Sequence, residues 1–448
     1  MATVRPAASS PVHHARPNDM KRIAIASVIG TTVEWYDLFV FATASALVFN
    51  KVFFPSFVPL VGTLLAFGTF ASAYLARIVG AALFGHFGDR LGRKSMLLVS
   101  LILMGCATFT IGLLPGYRAI GIWAPILLLT LRIVQGLALG GEWGGAVLMA
   151  VEHAPAGRRG LFGSWVQIGV PAGTLIANLA FLASSAALSP ADLLSWGWRI
   201  PFLASALLVG FGLYIRLNTS ETPSFKKLKD TSAHVKLPLA TVLSRYGKQV
   251  VLGGIATMST GTSFNLMVAF GLTYGTQNLG FSRSAMLSIA LIACATCIAM
   301  LPIFGRLSDR IGRKPVIIGG ILAEALLAFP MFWLLDTREF VFALAGYLLM
   351  MAAFAANYGP IATFLAELFG TEVRYSGLSV SYMLSGLLGS AATPIVTTAL
   401  LAATGRGSSV AWYMVASALV SAAALLLLTE TLKHDLTVSP SATTSDRA

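Results

Sequence analysis

Twelve runs of eighteen or more predominantly apolar residues divide the 448-residue chain, and no other feature limits its folding as much. They lie at 22–49, 59–85, 95–114, 122–151, 160–186 and 198–216, and again at 247–273, 285–305, 315–335, 340–365, 376–402 and 409–429. About 20 apolar residues in helical form match the hydrocarbon thickness of a bilayer, where backbone polar groups must be satisfied within the segment. The chain therefore reads as an all-α membrane protein of twelve transmembrane helices. Composition agrees: 56% of the residues are hydrophobic and only 11% charged, against about 25% charged in soluble domains. A net charge of +13 raises nucleic acid as a partner, but the Lys and Arg residues sit in short clusters between apolar runs and form no basic face. No nucleic-acid partner is expected.

A polar stretch separates the runs into two sets of six. The expected organisation is a disordered tail at 1–20, a six-helix bundle at 21–216, a central loop at 217–246 carrying Lys226, Lys227, Lys229 and Lys236, a second bundle at 247–430, and a tail at 431–448. Placing both termini in the cytoplasm leaves 23 of the 31 Lys and Arg on the inner side, as the retention of basic loops requires. The run after Lys21 and Arg22 is too long for a signal-peptide core and reads as an uncleaved first helix. The chain has no G-x-x-x-x-G-K-[ST] phosphate loop, its six His fall in tails or loops, and Cys106, Cys294 and Cys297 lie in apolar runs. An enzyme, a metal site and a cofactor are accordingly not expected.

The halves repeat. Gly85-His-Phe-Gly-Asp89-Arg90-Leu-Gly92-Arg93-Lys94 after the second run matches Gly305-Arg-Leu-Ser-Asp309-Arg310-Ile-Gly312-Arg313-Lys314 after the eighth, 220 residues later. Glu152 and Arg159 after the fourth run echo Glu367 and Arg374 after the tenth. Parallel repeats with a site between them near the midplane are a common plan of secondary transporters. An Asp at the end of one helix can accept hydrogen bonds from the N-terminus of another and pair with Arg. Asp89 and Asp309 are thus expected to latch the cytoplasmic side, with Gly85, Arg90, Gly92, Arg93, Gly305, Arg310 and Arg313 as gating residues; the alternative for the basic members is simple interfacial anchoring.

Ionisable groups inside the runs carry the most information, because each costs about 2.5 to 3.5 kcal/mol to insert at a helix centre. They are Glu34 and Asp37 in the first run, Arg77 in the second, Arg132 and Glu142 in the fourth, and Glu324 in the ninth. Asp37 and Arg132 both fall near helix centres and are expected to pair, either as a proton-coupling pair or as a static packing pair. Glu34 stands three residues from Asp37, where two carboxylates raise each other's proton affinity. Arg77 offers a planar fork for a substrate carboxylate, or else an inner-side packing pair. Glu142 reads as a second protonatable site or a structural partner, and Glu324 as structural. Trp35 and Tyr36, beside the acids, can close over a ring-shaped or cationic solute. Gln135 shares a helix face with Arg132, and Gly136, Gly140 and Gly144 repeat every fourth residue, spacing that favours close helix approach.

The doubled G-x-x-x-D-R-x-G-R-[RK] loop resembles the signature of the major facilitator superfamily. Val33-Glu34-Trp35-Tyr36-Asp37, Arg132-x-x-Gln135-Gly136 running to Gly140-Gly141-Glu142-Trp143-Gly144, Trp196-Gly197-Trp198-Arg199-Ile200-Pro201-Phe202 and Glu221-Thr222-Pro223 resemble its metabolite:proton symporter family. Ala46–Asn50, Gly85–Asp89, Thr276–Gly280 and Arg374–Gly377 are most similar to the shikimate permease branch. The resemblance implies two pseudo-symmetric six-helix bundles, alternating access, and monomeric import of a small organic acid with protons across a bacterial cytoplasmic membrane. It also strengthens the Asp37 and Arg132 pairing, which sugar symporters of the superfamily use, and makes Gln167 and Asn265 the preferred cavity candidates over Tyr74, Asn357, Tyr358 and Tyr382. Where the family commonly has Arg-Pro, this chain has Arg77-Ile78, and the tenth run at Phe354–Pro360 departs from the more acidic stretch of the shikimate branch. The rival readings are an osmolyte symporter for betaine or proline, a drug exporter, and a solute sensor that binds without transporting. Osmosensing members carry a C-terminal coiled coil, and no heptads follow Glu430.

Overall fold

The computed structural model describes residues 17–55, 59–155, 157–217 and 238–434. The expected tail before residue 17, the lysine-bearing stretch at 218–237 and residues 435–448 lie outside the described residues, as does the Arg93 side chain.

Twelve long helical segments run through the described residues, one for each apolar run. They are α1 (Pro17–Ala44), α2 (Pro59–Leu91), α3 (Arg93–Leu113), α4 (Trp123–His153), α5 (Arg159–Ala187) and α6 (Arg199–Leu217) in one half. The other half holds α7 (Gly247–Asn265), α8 (Arg283–Ile311), α9 (Arg313–Asp336), α10 (Phe340–Glu367), α11 (Arg374–Thr404) and α12 (Gly407–Leu426). Nine of these, α3 to α6 and α8 to α12, are long and apolar enough to cross a bilayer by length and composition. The remaining three hold much of the polar interior: Glu34 and Asp37 on α1, Arg77 on α2, and Ser259, Thr260, Thr262, Ser263 and Asn265 on α7.

The repeated signature departs from a simple loop. Gly85 to Leu91 and Gly305 to Ile311 continue their helices, and the chain turns only at Gly92 and Gly312. Both adopt positive φ, 111° and 108°, a region that side chains strain to enter, so the repeat preserves glycine at the one position that must reverse direction. Single π-turns interrupt the first helix of each half at Ser45–Phe49 and Leu266–Phe270. Such turns commonly mark functional positions.

Packing repeats with the sequence. In the first half α2 lies on α4, α3 on α4 and α6, and α1 on α5; in the second α8 lies on α10, α9 on α10 and α12, and α7 on α11. The halves meet through α2 against α11 and α5 against α8 and α10. Leu207 and Leu326, 78% and 77% exposed, belong to an apolar outer surface fit for lipid. The polar residues turn inward, the reverse of a soluble protein.

Candidate functional site

Glycine places the first arginine. At Gly80 on α2 and Gly140 on α4 an added methyl would strike the opposite backbone, at Leu137 and Arg77 respectively, so the two helices touch main chain to main chain. That contact brings Arg77 beside α4 at the seam between the halves. Its guanidinium lies 5.0 Å from the Tyr74 ring and 5.7 Å from Trp35. Arg77 is 5% exposed, and its Nε and Nη2 make no hydrogen bond within the protein. The Trp35 indole nitrogen is likewise buried without an acceptor. Two donors of a planar fork are thus flanked by aromatic faces.

Opposite Arg77 the halves are stitched by neutral groups. Trp143 on α4 donates to Gln167 Oε1 at 2.9 Å, and Gln167 Nε2 donates to the Tyr358 carbonyl of α10 at 3.0 Å. The Trp143 ring stacks on Tyr382 of α11, with 3.5 Å between centroids and 11° between planes. The Tyr382 and Tyr358 hydroxyls share a hydrogen bond of 2.9 Å. Rings continue the wall from Trp35 to Phe39, Phe264, Phe354 and Tyr358, each pair 5.0 to 5.9 Å apart. Glu34 lies within electrostatic reach of Tyr358 and Tyr382.

A second polar group sits inside the first half. Asp37 and Arg132, expected to pair, lie within electrostatic reach of each other, and hydrogen bonds join them through a relay. Asp37 Oδ2 accepts from Thr108 Oγ1 at 2.9 Å, Thr108 accepts from Gln135 Nε2 at 2.6 Å, and Gln135 Oε1 accepts from Arg132 Nη1 at 3.1 Å. The guanidinium of Arg132 rests 4.0 Å from the centre of the Phe41 ring. Asp37 Oδ1 has no hydrogen bond. Glu142 of α4 lies within electrostatic reach of Asp37. Glu34 turns to the seam, and Asp37 to the interior of its own half.

Three expectations are corrected. Tyr36 donates its hydroxyl to the Pro201 carbonyl of α6 at 2.7 Å and packs away from Arg77. Asn265 spends its amide on the Gly261 carbonyl of its own helix at 2.9 Å. Asn357 points into the second half, donating to Ser259 Oγ at 3.0 Å and to Glu324 at 3.3 Å. Trp143 and Thr108 are the members not singled out from sequence; the first was visible inside the Gly140–Gly144 motif, whereas an isolated Thr in an apolar run gives no signal.

At the end of the bundle where α2 and α8 finish, the halves are clamped. Asp89 of α2 accepts from Ser376 N and Oγ at 3.1 and 2.8 Å and from Tyr375 N at 3.3 Å, at the start of α11. Asp309 of α8 accepts from Gly160 N and Leu161 N at 2.8 and 3.0 Å, at the start of α5. Gly85 and Gly305 sit where a side chain would strike Ser376 and Ser164, so both clamps need glycine for their close approach. Arg313 joins Asp309 at 2.7 Å and grips Glu367 with Nε and Nη2, each at 3.2 Å. The echoed pairs cross between halves: Glu152 with Arg374 at 3.1 Å, Glu367 with Arg159 at 3.9 Å. Arg90 and Arg310 are exposed and, contrary to expectation, make no clamp hydrogen bond among the described residues; there Arg90 reaches His86, at 3.4 Å, and Arg310 lines an open cleft with Arg158, Arg306 and the clamp residues Leu161 and Asp309. Their positions at the ends of α2 and α8 suit interfacial anchoring.

The segment after α12 braces this region. Partial burial raises the proton affinity of Glu430, but backbone N–H groups of Arg313, Leu432, Lys314 and Thr431 outweigh it and hold the carboxyl below its usual range. A depressed acid contributes stability above its unfolded value and loses it as pH falls through the folded one. Thermal stability should therefore decline on acidification below about pH 4.5 with a Glu430-dependent component. Glu430→Gln should be less stable at neutral pH and should flatten the acid limb of a melting-temperature profile.

A family model described as Major Facilitator Superfamily matches residues 39–394 and 255–445. An inner membrane metabolite transport protein of Escherichia coli (strain K12) is 41% identical over 426 residues, covering 94% of this chain and 96% of its own length. The shikimate transporter of the same organism is 40% identical over 417 residues, covering 91% and 94%. Its proline/betaine transporter is 30% identical over 426 residues, covering 93% and 85%. Among solved structures, the proton:xylose symporter aligns with a TM-score of 0.77 at 19% identity over 94% of this chain and 99% of that one, a likeness of fold.

Proposed function

Because the chain belongs to the major facilitator superfamily of membrane transporters, we propose that it imports a small organic acid together with protons across a bacterial cytoplasmic membrane by alternating access. The observation that carries the substrate class is Arg77, buried at the seam of the halves with two guanidinium donors unspent and aromatic rings on either side. A carboxylate is the planar acceptor that matches such a fork, and a ring-bearing hydroxy acid such as shikimate suits the surrounding wall of Trp35, Tyr74, Trp143, Tyr358 and Tyr382. Positive charge retained on the terminal side makes that side the cytoplasm. Asp89 and Asp309 then close the inner face, and the clamped form is the one that receives solute from outside.

Proton coupling is assigned to the relay. While Asp37 is ionised, the Thr108 proton is committed to it, and the chain of donors running back to Arg132 is aligned. Protonation releases Thr108 to its alternative acceptor, the Met104 carbonyl at 3.0 Å, and frees Gln135 to reorient. The proton is thereby felt by α3 and α4 at once, and α4 carries Trp143 to the seam.

A second reading is favoured by the stacked Trp143 and Tyr382 beside Glu34, which also suits a quaternary ammonium. That reading makes the solute a betaine. One experiment separates these and the sensor class: uptake of shikimate, 2-oxoglutarate, citrate, benzoate and betaine into proteoliposomes, with and without an imposed pH gradient. The organic-acid reading expects accumulation of a carboxylate and loss of apparent affinity by about 10- to 100-fold in Arg77→Lys, the value of one to two charge-assisted hydrogen bonds. Accumulation of betaine alone, indifferent to Arg77, supports the second reading. Binding without accumulation supports a sensor.

A further inference from the structure

The second half buries an acid that the scheme above does not use. Glu324 lies in the middle of α9 and is 0% exposed. Eleven residues separate it from Arg313 and twelve from Asp336, so the charges at the helix ends are roughly 16 to 18 Å away along the axis. Gly320, one turn earlier, lets the backbone of α9 touch that of α10 at Asn357 and so sets the carboxyl against the Asn357 side chain. Ser263 of α7 donates to Glu324 Oε2 at 3.0 Å, and Asn357 Nδ2 donates to both carboxyl oxygens at 3.3 Å and to Ser259 at 3.0 Å.

Among the described residues, no Lys, Arg or His makes a hydrogen bond or ion pair with Glu324. On the packed elements, the charges stand toward the helix ends, at Lys248 of α7, Arg283, Arg306, Asp309 and Arg310 of α8 and Glu367 of α10, and the other titratable groups are Cys294 and Cys297 of α8, Tyr347 and Tyr358 of α10 and Tyr413 of α12. An unpaired carboxylate in that setting is strongly disfavoured. A neutral carboxyl instead has an O–H to donate, and the cluster contains an acceptor in want of one: Asn357 Oδ1, on a residue 0% exposed, makes no hydrogen bond. Turning the amide over, which exchanges its oxygen and nitrogen, puts Oδ1 against the carboxyl.

The placement also mirrors the first half. There an acid on α1 is held by α3 and α4; here an acid on α9 is held by α7 and α10, the same triangle of helices in the repeat. We propose that Glu324 is a second proton-binding site, loaded in the clamped conformation and discharged when α10 shifts. The shift is tied to the seam, since Asn357 precedes Tyr358, whose carbonyl receives Gln167 from the first half. In the step, a hydronium-borne proton forms the O–H bond at Glu324 and later leaves to water on the other side, with no change of oxidation state. This deepens and rests on the proton-coupled reading.

The test is infrared difference spectroscopy of the reconstituted protein during a pH step, with accumulation measured on the same liposomes. Glu324→Gln, which keeps size and hydrogen bonding, should lose one protonated-carboxyl band and accumulate about tenfold less solute per pH unit. Glu324→Asp should shift that band and retain accumulation. Exchanging Na⁺ for K⁺ should leave the wild-type spectrum unchanged. A spectrum in which Glu324→Gln keeps every carboxyl band, an unchanged accumulation ratio, or a band that follows Na⁺ and not pH overturns the proposal. If the wild type accumulates none of the carboxylates, it is the coupled-transport reading that has failed, and the carboxyl band alone then decides whether Glu324 binds a proton.

Discussion

Asp37→Asn should still exchange solute across the membrane but concentrate it about tenfold less per pH unit than the wild type. A proton gradient of one pH unit is worth about 1.4 kcal/mol, which supports roughly tenfold accumulation for each proton that must travel with the solute. The Asn variant keeps an acceptor for Thr108 and so preserves the relay geometry from Asp37 to Arg132, but it binds no proton. Counterflow of labelled solute should therefore persist near the wild-type rate while gradient-driven accumulation falls by the factor of one proton, about tenfold per pH unit. Glu34→Gln is the control, since that carboxylate faces Tyr358 and Tyr382 across the seam. Undiminished accumulation in Asp37→Asn would remove the relay from the coupling step.

The second large effect is expected at the clamps. Asp89 and Asp309 each accept two or more backbone or hydroxyl hydrogen bonds from a helix of the opposite half. A hydrogen bond to a charged group contributes about 1.5 to 3 kcal/mol, and removing both carboxylates should cost the closed inner face roughly 3 to 6 kcal/mol. That range moves a two-state equilibrium by about 10² to 10⁴, enough to turn a mostly clamped population into a mostly inward-open one. The double variant Asp89→Asn, Asp309→Asn should show it as longer spin-label distances across α5 and α8 on the terminal side, with each single variant intermediate. Unaltered distances in the double variant would mean that the pairs Glu152–Arg374 and Arg159–Glu367 hold the face closed by themselves.

The spans and their duplication were open to reading because insertion into lipid forces long apolar runs, and because a turn needing positive φ keeps glycine at Gly92 and Gly312. The Asp of the repeat was legible for the same reason: a charge at a helix end has few structural uses, and accepting from the start of a neighbouring helix is one of them. Side-chain partners inside the bundle were less accessible. Sequence spacing places Glu34 and Asp37 on one face, yet α1 is contacted by both halves, and one turn of separation sends the two acids to different neighbours. Thr108 closes the gap between Asp37 and Arg132 although a mid-helix Thr ordinarily satisfies itself on the preceding turn, as it also does here with Met104. Tyr36 looked like part of a site because it adjoins Trp35, but adjacent helical residues point about 100° apart, and Pro201 takes its hydroxyl.

The most direct check on coupled import is made on the wild type. Proteoliposomes clamped at zero membrane potential would be loaded at one pH, diluted into a series of lower external pH values, and read for the internal concentration of the carboxylate that the panel identifies. The account predicts a steady-state ratio that climbs by at least tenfold per pH unit and collapses when a protonophore is added. A ratio that settles at one for every external pH, with entry still fast, would contradict it.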